Sequence, residues 1–178
     1  MEAAMRANTL ARPEQSQSLT SIVSAAIAEA FEHVPEATRS GGALAFLDVD
    51  LDGIGGAVIR VLRGLSRLDL AVVVAATLPS GHPSGIRRAA IELIAAFLPA
   101  KLIKRVDSAL ARCLIARHFG GRIDYKELGE IYDLEPSNVR RRARIVSEAL
   151  ALEENATWGR LAFQLHDVCG GARFSMET

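Results

Sequence analysis

DYKELGEIYDLEPSNVRRRARIVSEAL, residues 124–150, is the stretch on which the reading of the fold turns. Leu128 and Tyr132 lie four apart, so on a helix they share one face. Asp133 follows, a short polar residue that tolerates the left-handed conformation of a tight turn, and then the apolar Leu134. Pro136 fits the first turn of a second helix, where its missing N–H is no loss. From Val139 onward, steps of about 100° put Ala143, Val146 and Leu150 on one side of that helix. Gly129 is the small residue where the second helix would cross the first. The pattern predicts two short-linked helices, the second with one buried and one free face.

The free face carries the chemistry. With Val139 turned inward, Ser137, Asn138, Arg140, Arg141 and Arg144 fall on the flanks or the outer side. Arginine can bind guanine bidentately and asparagine can bind adenine, whereas serine and the remaining arginines suit phosphate. Arg142 projects nearer the buried side and is expected to reach phosphate or to pair with an acid such as Glu130. Lys126, on the first helix, is a further candidate contact. The expectation is a helix-turn-helix for DNA, with its second helix in the major groove.

Working outward, residues 101–119 form another apolar stripe (Leu102, Ile103, Val106, Leu110, Cys113, Leu114 and Ile115), stopped by Gly120-Gly121. Residues 109–150 now read as ARCLIARHF (111–119), a glycine break, YKELGEIY (125–132), a turn, and PSNVRRRAR (136–144). This segment, about a quarter of the chain, resembles the DNA-binding region 4 of bacterial sigma factors and the related helix-turn-helix modules of response regulators. The resemblance implies a recognition helix near 137–150 and a supporting helix before Gly120. Gly129 stands where that family usually has alanine.

Further out, residues 1–17 lack periodicity and are expected to be a loose tail. Residues 18–34 carry apolar side chains at helical spacing, with Ser18 as N-cap and Pro35 as a stop, and 36–42 form a polar hinge. Within a helical body at 43–100, residues 43–49 and the Val-Val-Val run in 71–77 leave a short two-stranded element open beside a wholly helical reading. A helix is expected over 54–68 and another from about 86 to 98, capped by Ser84. Thr157 is expected to cap a last helix through Val168, within a DNA-binding domain spanning 101–178. The fold class is therefore mainly α, a helical bundle containing a helix-turn-helix.

Only 5% of the residues are aromatic although 49% are hydrophobic, so Ala, Leu, Ile and Val must build the core. The formal net charge is zero, yet residues 101–147 hold 11 Lys and Arg against 6 Asp and Glu. A general nucleic-acid coat is thereby excluded, and any nucleic-acid contact must be local to this segment. Two distant cysteines argue against a disulfide framework or a cysteine zinc site, and no apolar run approaches the length of a membrane span. A cytoplasmic protein is expected.

Asp48-Val-Asp50-Leu-Asp52-Gly53 matches half of a calcium loop, but Ile59 occupies the position of the bidentate glutamate, so an acidic turn without metal is expected. The turn at 80–85 lacks the Lys and Ser/Thr of a nucleotide loop and is expected to be a surface turn, with Arg87 and Arg88 as candidate contacts to DNA backbone. The four histidines are scattered. No catalytic activity, cofactor or metal is expected. Double-stranded DNA is the expected partner of a sequence-specific transcriptional regulator. A homodimer, formed through the 18–34 helix or through Trp158, Leu161, Phe163 and Leu165, is a candidate assembly. The alternative is an interaction protein that uses the sigma-like module to dock on RNA polymerase or another regulator without reading DNA.

Overall fold

A computed structural model describes residues 12–35, 44–82, 85–97 and 107–169, with side chains from 19 to 168. Seven α-helices account for nearly all of it: α1 (Arg12–His33), α2 (Gly53–Gly64), α3 (Arg67–Thr77), α4 (Ile86–Phe97), α5 (Ser108–His118), α6 (Tyr125–Ile131) and α7 (Pro136–Cys169). A 3₁₀ turn, Ala45–Asp48, precedes α2. The fold is a mainly helical bundle, with no strand among the described residues.

The two-stranded element left open at 43–49 and 71–77 is not formed. The first stretch is the 3₁₀ turn around the buried Phe46, and the second is the body of α3. Val72, Val73 and Val74 are all essentially inaccessible, so α3 is surrounded by protein and burial overrides the β preference of the valines. The helix expected over 54–68 also divides. Ser66 caps α3 by accepting from the Asp69 amide at 3.1 Å, while its own hydroxyl donates to Asp69 Oδ2 at 2.7 Å. The Ser84 cap, the hinge at 36–42 and the 101–106 part of the helix expected before Gly120 lie outside the described residues, save that α1 is seen to begin at Arg12 rather than at Ser18.

The largest difference concerns the C-terminal third. No helix starts at Thr157, because α7 is one helix of 34 residues, about 50 Å long at about 1.5 Å per residue. It packs on α2, α3, α5 and α6, and its second half is tied to α3 through Thr157. Thr157, fully buried in mid-helix, donates its hydroxyl to Asp69 Oδ1 at 2.7 Å, and Arg160 binds the same carboxylate oxygen. Trp158, Leu161 and Leu165 are buried and complete the core, so three of the four residues named as a subunit interface do not face outward.

One contiguous apolar cluster runs through all seven helices, from Val23 and Ile27 of α1 to Leu161 of α7. Two polar ties set α5 against its neighbours: Arg112 with Glu92 of α4 at 2.6 Å, and His118 with Glu154 of α7 at 3.1 Å. Arg87 is not available to DNA, being 6% exposed. Its guanidinium donates to the carbonyls of Ala75 at 3.3 Å and Phe119 at 2.5 Å, at the C-terminal ends of α3 and α5 where the helix dipoles favour a cation. Arg88 beside it remains exposed.

Candidate nucleic-acid interface

The candidate interface is built on α5, α6 and the first half of α7. Asp107 caps α5 by accepting from the Ala109 amide at 2.8 Å, and the helix ends in a paired-turn stop. Gly120 takes φ 87°. Its amide donates to Arg117 O at 3.0 Å, and that of Gly121 to Ala116 O at 2.8 Å, which satisfies the last carbonyls. Arg117 then fixes the loop to α6. It donates to the Ile123 carbonyl, and its guanidinium lies 4.0 Å from the centre of the Tyr125 ring.

Asp124 caps α6 by accepting from the Lys126 amide at 3.0 Å. The chain reverses at Asp133, whose φ is 49°, and the Leu134 amide returns to Gly129 O at 2.8 Å. Glu135 precedes Pro136 at the start of α7 and accepts from the amides of Asn138 and Val139 at 2.8 and 3.1 Å through its backbone carbonyl. These bonds fix the turn by local geometry alone. Its length, the proline and the left-handed aspartate stand where the sequence puts them.

The helical phase also stands as expected. Val139, Ala143, Val146 and Leu150 are each 5% exposed or less and meet Leu128 of α6 and Leu110, Leu114 and Ile115 of α5 in the core. Ser137, Arg140, Arg141 and Arg144 are exposed, Asn138 and Arg142 are half-buried, and Lys126 is exposed on α6. Among the described residues Arg140, Arg141 and Arg142 make no ion pair, so the pairing of Arg142 with Glu130 is not formed. Arg144 is held by Glu148, one turn on, at 2.8 Å, in a pair that is open to solvent. That carboxylate raises the Arg144 pKa further, first through the hydrogen bond and then through its charge.

The electrostatic footprint is narrower than the sequence count suggests. Of the basic residues in 101–147, Lys101, Lys104 and Arg105 lie outside the described residues, Arg112 is paired with Glu92, and Arg117 is turned onto Tyr125. Arg122, Lys126, Arg140, Arg141, Arg142 and Arg144 remain. They share the module with Glu127, Glu130, Asp133 and Glu135, which stand in solvent on α6 and the turn. Four guanidiniums within five residues of α7 are thus the one concentration of positive charge on it.

The weaker signals resolve differently. Asp50 is fully in solvent and paired with Arg63 at 3.3 Å, while Arg63 also donates to Val49 O at 3.2 Å and to Leu47 O. No group of three potential metal ligands occurs among the described residues. No helix of the described residues is long and apolar enough to cross a membrane. Sequence reasoning missed the clamp of Asp69 with Thr157 and Arg160 and the inward role of Arg117. Thr157 carried a signal, but its hydroxyl before an apolar run pointed to a cap rather than to a carboxylate 88 residues away. No family model, curated protein or solved structure matches the chain.

Proposed function

We propose that the chain is a transcriptional regulator that binds double-stranded DNA sequence-specifically through the first half of α7. What carries this reading is the pairing of a fixed three-helix frame with an outer face bearing Ser137, Arg141 and Arg144, flanked by Arg140, turned away from the buried Val139 and Ala143. A helix of about 10–12 Å diameter fits a major groove of about 12 Å. Arg140 and Arg141 need break no ion pair to reach a base edge or a phosphate. Arg144 exchanges one solvent-exposed carboxylate for phosphate, a swap of small cost.

Selection of bound duplexes from a random pool, followed by salt titration, tests the proposal. Affinity falls steeply with salt if several phosphates are contacted. Arg141→Ala lowers specific affinity by about 1–3 kcal/mol and relaxes preference at one or two base positions, whereas Lys126→Ala weakens binding to all sequences alike. Absence of salt-dependent binding to any duplex rejects the regulator reading.

One observation favours a second reading, in which the module docks on RNA polymerase or another regulator. Ile131, 64% exposed, ends α6 beside the exposed Glu127 and Glu130, an apolar and acidic surface unsuited to phosphate. Under that reading Ile131→Asp abolishes polymerase capture, and DNA plays no part.

A further inference from the structure

Opposite its buried face, α7 carries a second apolar stripe, half-buried at Ile145 and Ala149 and open from Leu152 to Phe163 among the described residues. Ile145, Ala149, Leu152, Ala156, Gly159 and Phe163 follow one another at alternating steps of four and three residues, the spacing of a two-helix seam. Leu152 and Phe163, at 75% and 69%, are the two most exposed large apolar side chains among the described residues. Ala156 and Gly159 are exposed between them, and a Cβ on Gly159 would meet no atom within 4 Å, so a second backbone can approach closely here.

We propose that this stripe pairs with the same stripe of a second copy, antiparallel, about a two-fold axis near residue 154. In that register Ile145 meets the second copy's Phe163, Ala149 its Gly159, and Leu152 its Ala156, so all six positions are used and large residues face large or small ones without collision. The flanking charges select the direction. A parallel seam would set Glu148 against the second copy's Glu153, two like charges. The antiparallel seam instead turns the flank holding Glu153 and Arg160 toward the same flank of the second copy, where Arg160, about five residues or about 7.5 Å off level along the helix, reaches the second copy's Glu153. Those residues already bind each other within one chain at 3.0 Å and are 40% and 46% exposed, so each can turn outward while Arg160 keeps its bond to Asp69. The same register places the two arginine-rich segments, centred on residue 141, about 39 Å apart along α7. One turn of B-DNA is about 34–36 Å. The pairing itself requires no DNA and stands or falls independently of the regulator reading.

Light scattering of the full chain without DNA gives twice the 19.1 kDa chain mass. Leu152→Asp with Phe163→Asp raises the dimer dissociation constant about 100-fold or more, and because both side chains lie in solvent the circular dichroism of the fold is retained. Direction is read by cross-linking in a Cys113→Ser, Cys169→Ser background. Ala149→Cys with Gly159→Cys yields a covalent dimer on oxidation, and Leu152→Cys alone does not. A monomer at all concentrations, a dimer that survives both aspartates, or efficient Leu152→Cys cross-linking each overturns the proposal.

Discussion

A Cβ on Gly129 would stand 2.6 Å from the Leu134 carbonyl oxygen, closer than real Cβ atoms come to a backbone atom. Two effects compete in Gly129→Ala. Helix propensity favours alanine by about 1 kcal/mol, while the clash falls on a carbonyl held by the turn itself. The obstacle is backbone and not the tip of a flexible side chain, so strain wins. Gly129→Ala costs about 1–3 kcal/mol, read as a lower urea midpoint with unchanged slope. An unchanged or higher midpoint would show that the turn relaxes. The sequence marks Gly129 as the crossing residue and Asp133 as the left-handed one, since both requirements arise within a few residues. It does not mark Arg117 or Arg87 as internal ties, because an arginine's written charge says nothing of the distant carbonyls it will find.

At the level of elements, the same division between local and distant causes decides what could be read. The buried phase of α7 from Val139 to Leu150 follows from periodicity alone and matches the structure. The helix over Val72-Val73-Val74 does not, because its cause is burial among α4 and α7, which a seven-residue window cannot contain. The unbroken course of α7 through Thr157 depends likewise on Asp69, which belongs to α3. Burial pushes the Asp69 pKa up, but hydrogen bonds from Arg160, Ser66 and Thr157 and the Arg160 charge together hold it below its ordinary value. A folded pKa below the unfolded one stabilises the fold fully above the unfolded value, about 3.9, and that contribution is lost as pH falls through the folded value. Asp69→Asn therefore lowers stability by about 1–3 kcal/mol at neutral pH, leaving Thr157 and Arg160 poorly satisfied. Its deficit narrows as pH drops below about 4. Urea midpoints for both chains across that range check this, and a deficit that stays constant with pH would reassign the loss to packing.

Across the whole molecule, α7 joins what the sequence presents as separate parts, an arm, a body and a DNA-binding segment. Its first half is fixed by α5 and α6, its second half is clamped to α3, and the apolar cluster continues without a gap from α1. A rigid helix shared by both ends leaves no boundary at which one end could melt while the other persists. Trp158, the single tryptophan, lies buried beside the Thr157 clamp and reports on that end, whereas far-UV circular dichroism reports on every helix. Urea unfolding followed by the two signals gives coincident transitions at any one protein concentration. Leu161→Ala, at a fully buried position, lowers stability by about 2–5 kcal/mol and moves both transitions by the same amount. A fluorescence transition that shifts alone would mean that α5, α6 and the first half of α7 are held by their own small core. In that case a ligand or partner acting on the body could not bias the first half of α7 through its second half.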